Sequence, residues 1–324
     1  MYFRTEINSQ TIAKTLNPSK QIYLIGSCFS ENIGQKLQNQ FIKTSINPFG
    51  ILYNPYSILN CLERVISKTH YTSHELIKNN ELYCSFDHHG SFNSNNEEDC
   101  LNKINSEIDL AHQELKNSKT LIISLGTSYL YKEKETQRIV ANCHRFPAHK
   151  FERQLSTFPE ILKAYKTLIP KLLSFNKELQ IIFTVSPIRH LRDSFTENQV
   201  SKAQLLTVCH FLQEDFPQCS YFPSYEIMMD DLRDYRFYEE DMIHPNKVAI
   251  DYIWQKFTEF AFSAKDLDYF KDITQIQKRL SHRLRNPEST ESKKYIEATL
   301  KFVEKMKLKY PDANWEKLSW KHYE

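Results

Sequence analysis

Short apolar runs alternate with amphipathic helical patterns along most of this chain, and this alternation limits the possible folds more than any other feature. Buried strands are predicted at 20–26, 119–125, 180–185 and 219–222, with a further strand at 81–86. Helices are predicted at 30–42, 55–68, 97–117, 158–174, 199–215 and 247–262. Such alternation is typical of βαβ units, in which helices cover a parallel sheet. We therefore predict an α/β fold.

Two helix starts and one domain boundary follow from local signals. Ser30 is the predicted N-cap of the first helix, and Asn54, directly before Pro55, is the predicted N-cap of the second. Beyond about residue 264 the chain is charged and contains no glycine, with helical patterns near 266–284 and 291–309. We predict a main domain at 1–264 and a C-terminal helical extension at 265–324, whose Lys/Glu mixture indicates a solvated face.

The charge balance and the cysteines argue against several classes of protein. The 324 residues carry 42 Lys+Arg and 40 Asp+Glu, and 40% of them are hydrophobic, which disfavours disorder and a dedicated nucleic-acid-binding role. No apolar run approaches the roughly 18–20 residues that span a bilayer. The seven cysteines are scattered without CxxC spacing, as expected for free thiols. We expect a cytoplasmic protein without nucleic-acid or membrane partners, and its oligomeric state stays open.

Glycine is scarce, so each one indicates a constrained position. There are only 5 glycines in 324 residues, against an average usage of about 7%. Gly26 and Gly126 end two of the predicted strands. At the carboxyl edge of a parallel sheet, where binding sites form, such a glycine either admits a ligand or lets a strand and a helix pack closely. The sequence does not decide between these two interpretations.

The turn after the first strand carries a candidate nucleophile. In Gly26-Ser27-Cys28-Phe29-Ser30 a hydroxyl and a thiol stand where the first helix begins. The partial positive charge of a helix N-terminus lowers the pKa of a thiol, so Cys28 is predicted to be nucleophilic. The alternative is a small buried thiol that fits the turn.

A candidate base and its acid partner occur near the end of the main domain. Asp241 and His244 are three residues apart, close enough for one helical turn or a tight loop to bring the carboxylate to the imidazole. Such a carboxylate would fix the tautomer of the histidine, whose other nitrogen could then move a proton. The alternative is a surface pair that caps the helix after Pro245.

These motifs together resemble the GSCFA family, in the wider group of SGNH or GDSL-like hydrolases. The family's named motif stands here as residues 26–30. The resemblance extends over about residues 3–262, through stretches at 47–55, 124–127, 142–144, 186–190, 201–203 and 221–245. It implies a flavodoxin-like three-layer α/β/α sandwich with its site at the carboxyl ends of the strands.

The resemblance also implies catalytic roles. SGNH hydrolases carry a nucleophilic serine as the third residue of Gly-Asp-Ser, and here that position holds Cys28. Either the thiol is the nucleophile, or Ser27 has taken the role, or the fold no longer hydrolyses esters. The family's Asp-x-x-His is matched fully by Asp241 and His244. By this resemblance His244 would act as the base and Asp241 would orient it.

The oxyanion hole is matched only in part. Gly50 corresponds to the glycine of the second family block, and Gly126 to the glycine of the third. The asparagine of that third block is replaced by Ser128. The missing donor would then come from Thr127, Ser128 or Asn142.

Basic side chains follow the 180–185 strand and offer a second type of contact. They are Arg189, His190, Arg192 and Lys202. They either pair with Asp193 or Glu197, or form a positive wall for a carboxylate or phosphate of the substrate. The predicted substrate-binding residues are Arg189, His190 and Lys202 of this group, together with Asn142.

The sequence thus favours an SGNH-like hydrolase of a small-molecule or carbohydrate acyl ester, with no metal or organic cofactor. A zinc site is disfavoured because the spacing of the candidate ligands matches no compact pattern; these are Cys84, His88, His89, Cys143 and His144. Two alternatives stay open. One is an acyltransferase with an acyl carrier against Arg189 and Lys202, and the other is a binding protein that has lost efficient catalysis.

Overall fold

The structure is a computed structural model that describes residues 4–7, 11–13, 15–190, 192, 194–284 and 286–318. Its strands in chain order are β1 (Ile22–Gly26), β2 (Thr44–Ile46), β3 (Ile77–Asn79), β4 (Leu82–Cys84), β5 (Thr120–Leu125), β6 (Tyr129–Glu133), β7 (Ile139–Val140), β8 (Phe151–Leu155), β9 (Gln180–Val185) and β10 (Cys219–Phe222). Its α-helices are α1 (Cys28–Asn39), α2 (Pro55–Ser67), α3 (Glu97–Asn117), α4 (Phe158–Phe175), α5 (Ser194–Asp215), α6 (Ser224–Glu226), α7 (Lys247–Ala261), α8 (Asp266–Leu280) and α9 (Thr290–Lys309).

Five strands form one parallel sheet in the order β10-β9-β5-β1-β2. Numbered along the chain within this sheet, the order is 2-1-3-4-5, which is the flavodoxin-like order. The order reverses beside β1, because β2 lies on one side of it and β5 on the other. The predicted α/β fold is confirmed.

The sheet separates two apolar cores, as expected for a three-layer sandwich. Alternate residues of β1 point to opposite faces: Tyr23 and Ile25 join one core, and Ile22 and Leu24 join the other. Helices α2, α3, α4 and α5 cover the first core, and α1, α7, α8 and α9 cover the second. Burial of both faces explains why the strand sequences are continuous apolar runs.

One predicted helix start is confirmed and the other is wrong. Asn54 caps α2, since its Oδ1 accepts from the N–H of Ser57 at 2.9 Å. The N-cap of α1 is Ser27, whose Oγ accepts from the N–H of Phe29 at 3.3 Å. Ser30 lies inside the helix, where its Oγ donates to the carbonyl of Ile25 at 3.0 Å.

The strand predicted at 81–86 belongs to a separate hairpin. β4 pairs antiparallel with β3, outside the parallel sheet. The antiparallel three-stranded sheet β7-β6-β8 was not predicted. These additions matter because β6 and β8 form one wall of the pocket described below.

The C-terminal helices pack on the second core near the end of α1. The hydroxyl of Tyr269 donates to the carbonyl of Gln40 at 2.6 Å, and the rings of Trp315 and Phe41 lie 5.3 Å apart. Ile273 and Val303 are completely buried. The extension therefore buries an apolar face and exposes a charged one. No helix within the described ranges is long and apolar enough to span a membrane.

Candidate functional site

A pocket of about 420 Å³ opens at the carboxyl ends of the central strands. Cys28 follows β1, Thr127 follows β5, and Ser186 follows β9, and all three line it. The other lining residues are Tyr53, Asn54, Tyr129, Tyr131, Val140, Ala141, Arg153, Ile188, Arg189, His190, Arg192, Ile243 and His244. The pocket therefore brings together Cys28 and His244, which are more than two hundred residues apart in the sequence.

The turn before Cys28 depends on glycine for packing. Gly26 has a φ of +127°, and a Cβ there would lie 2.1 Å from the carbonyl oxygen of Ser124 on β5. Similarly, a Cβ on Gly126 would lie 3.0 Å from the carbonyl oxygen of Tyr53. Close packing is the interpretation that the structure supports, although the close neighbours are strand β5 and the segment before α2 rather than a helix.

Ser27 lies behind the turn and away from the pocket. It is only 1% exposed, and its Oγ lies 2.9 Å from Oγ of Ser124. Oγ of Ser30 lies 2.8 Å from the same Ser124 oxygen. Ser27 thus caps α1 within a buried serine cluster, whereas Cys28 lines the pocket.

The Cys28 thiol is half-buried at the first position of α1. Its Sγ lies 3.9 Å from the hydroxyl of Tyr53. Burial raises the pKa of Cys28 above its ordinary value; the Tyr53 hydroxyl opposes this shift, and the charge of Glu31 adds to it. The lowered pKa expected from the helix N-terminus is therefore wrong for this structure, because the loss of hydration outweighs it.

Asp241 and His244 form the predicted pair through a tight loop. Oδ2 of Asp241 lies 2.6 Å from Nδ1 of His244, and Oδ1 accepts from the N–H groups of Ile243 at 2.8 Å and of His244 at 2.9 Å. Hydrogen bonds from the backbone and ring of His244 and the backbone of Ile243 lower the pKa of Asp241 to about 2. The ionised carboxylate can only accept, so the Nδ1 that faces it carries a proton, and in the neutral form of the ring the lone pair is on Nε2.

Arg189 forms a hydrogen bond with this loop. Its Nη2 donates to the carbonyl of Met242, a residue in the left-handed region with a φ of 57°. Its Cζ also lies 4.4 Å from the ring centre of Tyr238 and 5.3 Å from that of Tyr235. Arg189 therefore lines the pocket as predicted, but its guanidinium is engaged in fixing the loop that carries His244.

Lys202 is not part of the pocket wall, which corrects its predicted role. It is completely buried, and its Nζ donates to the carbonyls of Gly126 and Ser186, at 2.7 Å in each case. Burial lowers the pKa of Lys202 to about 7. Lys202 thus ties the ends of β5 and β9 together beneath the site.

His190 and Arg192 do line the pocket. Burial, with smaller contributions from the charges of Lys202 and His244, lowers the pKa of His190 to about 4, so its ring is neutral near pH 7. The guanidinium of Arg192 lies 5.7 Å from the ring centre of Tyr131. Of the two acidic partners expected for these groups, Glu197 is exposed near the start of α5 and Asp193 lies outside the described residues.

The backbone donors at the two predicted oxyanion glycines are already engaged. The N–H of Gly50 donates to the carbonyl of Asn47 at 2.7 Å, and that of Gly126 donates to the carbonyl of Tyr53 at 2.8 Å. The N–H of Thr127 donates to the same Tyr53 carbonyl at 3.0 Å. Of Gly50, Gly126 and Thr127, only Thr127 lines the pocket. Its N–H would become available to a ligand only if the Tyr53 carbonyl moved away.

The other two residues predicted as substitutes, Ser128 and Asn142, also have partners elsewhere. Ser128 is completely buried, and its N–H donates to Oγ of Ser201 at 2.9 Å. Oδ1 of Asn142 accepts from the N–H of His144 at 2.9 Å, and Asn142 is absent from the pocket lining. By contrast, the N–H of Cys28, at the first position of α1, faces the thiol of its own side chain and acts to lower the pKa of that thiol.

One wall of the pocket was missed by sequence reasoning. Tyr129 and Tyr131 of β6 and Arg153 of β8 line it, with the Arg153 guanidinium 3.5 Å from the ring centre of Tyr129. Neither strand contains a continuous apolar run, so no buried strand was predicted for either of them. Tyr53 lies in one of the stretches that resemble the family, but the sequence indicated no role for it. The structure places its hydroxyl 3.9 Å from Sγ of Cys28.

The candidate zinc ligands are not gathered into a site. Among the residues that the structure describes, no three His, Cys, Asp or Glu side chains are arranged to hold a metal ion. His88 is completely buried and stacks 4.1 Å from the ring of Phe49. Burial lowers the pKa of His88 to about 3, as for a neutral core histidine.

The family comparison agrees with the site's position in the chain. The model of the GSCFA family matches residues 21–257, which contain every element that lines the pocket. The chain belongs to the GSCFA family. A second family model, described as the C-terminal domain of GSCFA domain proteins, matches residues 273–318, which include α9 and the second half of α8. No curated protein matches the chain. The domain boundary after residue 264 stays a prediction.

Proposed function

We propose that this GSCFA protein is a cysteine-dependent hydrolase of acyl esters, with the nucleophile, base and acid arranged as in SGNH or GDSL-like hydrolases. The main support is the pairing of Asp241 with His244 at 2.6 Å, in a loop whose histidine lines the same pocket as Cys28. A carboxylate–imidazole pair beside a thiol is the arrangement that activates a nucleophile with an unfavourable pKa.

The reaction proceeds through a thioester. His244 Nε2 takes the proton from Cys28 Sγ while Sγ bonds to the carbonyl carbon of the ester, forming a tetrahedral oxyanion. The carbon–oxygen bond to the alcohol then breaks, and the alcohol leaves with the proton from His244. A water molecule next attacks the thioester and gives its proton to His244. The carbon–sulfur bond breaks, the acid leaves, and the proton returns to Sγ.

Two donors near the thiol can stabilise the oxyanion. The N–H of Cys28 is at the N-terminus of α1, where the helix dipole favours negative charge. Asn54 lines the pocket, and its Nδ2 uses one N–H for Oγ of Ser57 at 2.8 Å. Its second N–H takes the role that the resemblance assigned to the asparagine of the third block.

The proposed substrate is a small-molecule or carbohydrate acyl ester. A volume of about 420 Å³ suits a ligand of metabolite size. If a hydroxyl of a sugar replaces water in the second step, the same thioester makes the protein an acyltransferase.

A ligand-binding role without turnover is the second candidate. Its support is that the N–H groups of Gly50 and Gly126 are engaged and the pKa of Cys28 is raised. On this alternative, the pocket binds an ester or acid and the Asp241–His244 pair only shapes its wall.

Hydrolysis of p-nitrophenyl acetate and acetyl thioesters by the purified full chain tests the proposal. Cys28→Ala and His244→Ala should each lower kcat/KM at least about a hundredfold. Cys143→Ala is the matched control, because Cys143 is the other half-buried cysteine among the seven free ones. Full activity of Cys28→Ala would refute the thiol mechanism. Tight binding of an ester without turnover, unchanged in His244→Ala, would favour the binding role.

A further inference from the structure

Tyr53 is held beside the Cys28 thiol by its main chain. Its carbonyl accepts from the N–H of Gly126 at 2.8 Å and from that of Thr127 at 3.0 Å, so the residue is tied to the end of β5. Asn54, which follows it, caps α2. Gly126 permits this approach, because a Cβ there would lie 3.3 Å from Cβ of Tyr53. The position of Tyr53 is therefore set by a strand end on one side and by a helix start on the other.

The side chain of Tyr53 extends into the pocket. Its hydroxyl lies 3.9 Å from Sγ of Cys28. Its ring packs edge-on against that of His190, with the ring centres 5.9 Å apart and the planes at 82°. Tyr53 is 40% exposed and lines the pocket, so a ligand bound there can contact its side chain.

The Tyr53 hydroxyl keeps its proton at neutral pH. Burial raises the pKa of Tyr53 above its ordinary value, and the neighbouring Cys28 thiol adds to this shift. The group therefore acts as a hydrogen-bond donor to a negative charge rather than as a base. In the other direction, its hydrogen bond opposes the burial that raises the pKa of Cys28. The neutral phenol thus stabilises negative charge at the thiol.

An oxyanion formed at Cys28 lies within reach of the same hydroxyl. When Sγ bonds to a carbonyl carbon, the oxygen that takes the negative charge is only two bonds from Sγ. A donor acts on this oxygen when it lies about 2.7–3.1 Å away, and a hydroxyl 3.9 Å from Sγ leaves room for that arrangement. The amides of Gly126 and Thr127 are engaged by the Tyr53 carbonyl. The contact that engages those two amides therefore supplies a phenol donor in their place.

We propose that the Tyr53 hydroxyl is an oxyanion donor: it donates to the acyl oxygen that becomes negative when Sγ of Cys28 adds to the carbonyl carbon and His244 takes the thiol proton. This inference rests on the proposed function, since it names a further catalytic residue for the same attack. Tyr53 joins the N–H of Cys28 and the amide of Asn54 as a third donor. Its hydrogen bond is strongest to the tetrahedral intermediate, so it lowers the barrier without tightening the binding of the ester.

The inference is tested first by the kinetics of Tyr53→Phe in the full chain, because phenylalanine keeps the ring and removes only the hydroxyl. With p-nitrophenyl acetate, kcat should fall at least about tenfold while KM changes less than about threefold. Tyr56→Phe is the matched control, because Tyr56 is a partly buried tyrosine of α2 that is absent from the described pocket lining. Its kcat should stay within about twofold of wild type.

Alkylation by iodoacetamide distinguishes a lost hydrogen bond from a packing effect. Removing the Tyr53 hydroxyl opens access to Sγ of Cys28, so a packing effect alone would speed the reaction. Loss of the donor raises the pKa of Cys28 and should slow its alkylation at pH 8 at least about twofold. A faster reaction would overturn the contact on which the inference depends.

Reversible addition of trifluoroacetone separates this inference from the proposed function. Sγ of Cys28 bonds to the ketone carbon, the thiol proton passes to His244, and the adduct carries the negative oxygen without turnover. Its affinity, measured by fluorine NMR, should fall at least about tenfold in Tyr53→Phe and stay within about twofold in Tyr56→Phe. Cys28→Ala should form no adduct.

The outcomes distinguish the two proposals. If Tyr53→Phe weakens the adduct in this way but no ester is cleaved, the inference stands and the hydrolase proposal fails. If esters are cleaved but Tyr53→Phe matches Tyr56→Phe in kcat and in adduct affinity, the inference is overturned and the hydrolase proposal stands. If wild type forms no adduct, the inference is overturned as well.

Discussion

The raised pKa of Cys28 predicts a specific pH dependence for its reaction with iodoacetamide. Burial places this pKa above the ordinary value of 9.0. At pH 7 the thiolate fraction is then below about 1 in 100. Because only the thiolate reacts, the alkylation rate should rise about tenfold per pH unit from pH 6.5 to 8.5, without a plateau. His244→Ala should change this profile by less than about threefold, since the resting thiol keeps its own proton.

The assay is peptide mapping by mass spectrometry after timed alkylation. Tryptic peptides 21–36 and 139–145 report Cys28 and Cys143 separately. Cys143 is an internal comparison, because it is also half-buried with its pKa raised by burial. If the alkylation rate of Cys28 instead reached a plateau below pH 8, and His244→Ala abolished that plateau, the thiol would already be ionised and paired with a protonated His244. That result would refute the reasoning.

Three substitutions test other parts of the structure. Gly26→Ala should lower the free energy of unfolding in urea by at least about 2 kcal/mol. Gly90→Ala is the control and should change this free energy little, because a Cβ at Gly90 meets only one side-chain atom, at 3.9 Å. Equal effects of the two substitutions would contradict the packing argument. Arg189→Met should lower kcat at least tenfold with KM changed less than about threefold, since it frees the His244 loop; a rise in KM alone would instead indicate substrate contact. Between pH 7 and 10.5 the amine of Lys202 is more protonated in the unfolded state than in the folded state. The free energy of unfolding of wild type, relative to that of Lys202→Met, should therefore rise with pH over this range by at most about 1.4 kcal/mol per pH unit. An equal difference between the two proteins at pH 7.5 and at pH 9, measured by urea unfolding, would contradict this.

The fold was predictable because its strands are buried on both faces. The runs that became β1, β5 and β9 are continuous in apolar residues, and strong periodicity marked the helices between them. β2 was missed because only three residues form it. The N-cap of α1 was placed at Ser30 because both serines of the turn suit that role. In the structure the helix begins earlier, so Ser27 accepts from the N–H of Phe29 and Ser30 donates to the carbonyl of Ile25.

The pairing of one acid with one histidine was predictable because the two residues are close together in sequence. Asp241 and His244 are three residues apart, and a short loop suffices to pair them. Lys202 was misassigned because sequence position places it near the active edge, whereas burial turns its amine toward two carbonyls. The raised pKa of Cys28 comes from three-dimensional packing, which a helix-terminus argument does not contain.

The central claim is that Cys28, activated by His244, attacks the acyl carbon. The most direct test is to quench the full chain during turnover of p-nitrophenyl acetate and locate the acetyl group by fragmenting peptide 21–36, which contains both Ser27 and Cys28. We predict a hydroxylamine-sensitive acetyl thioester on Cys28 in wild type, at least about a hundredfold slower to form in His244→Ala. Acetylation of Ser27, or equal labelling of Cys28 and Cys143 that His244→Ala leaves unchanged, would contradict the claim.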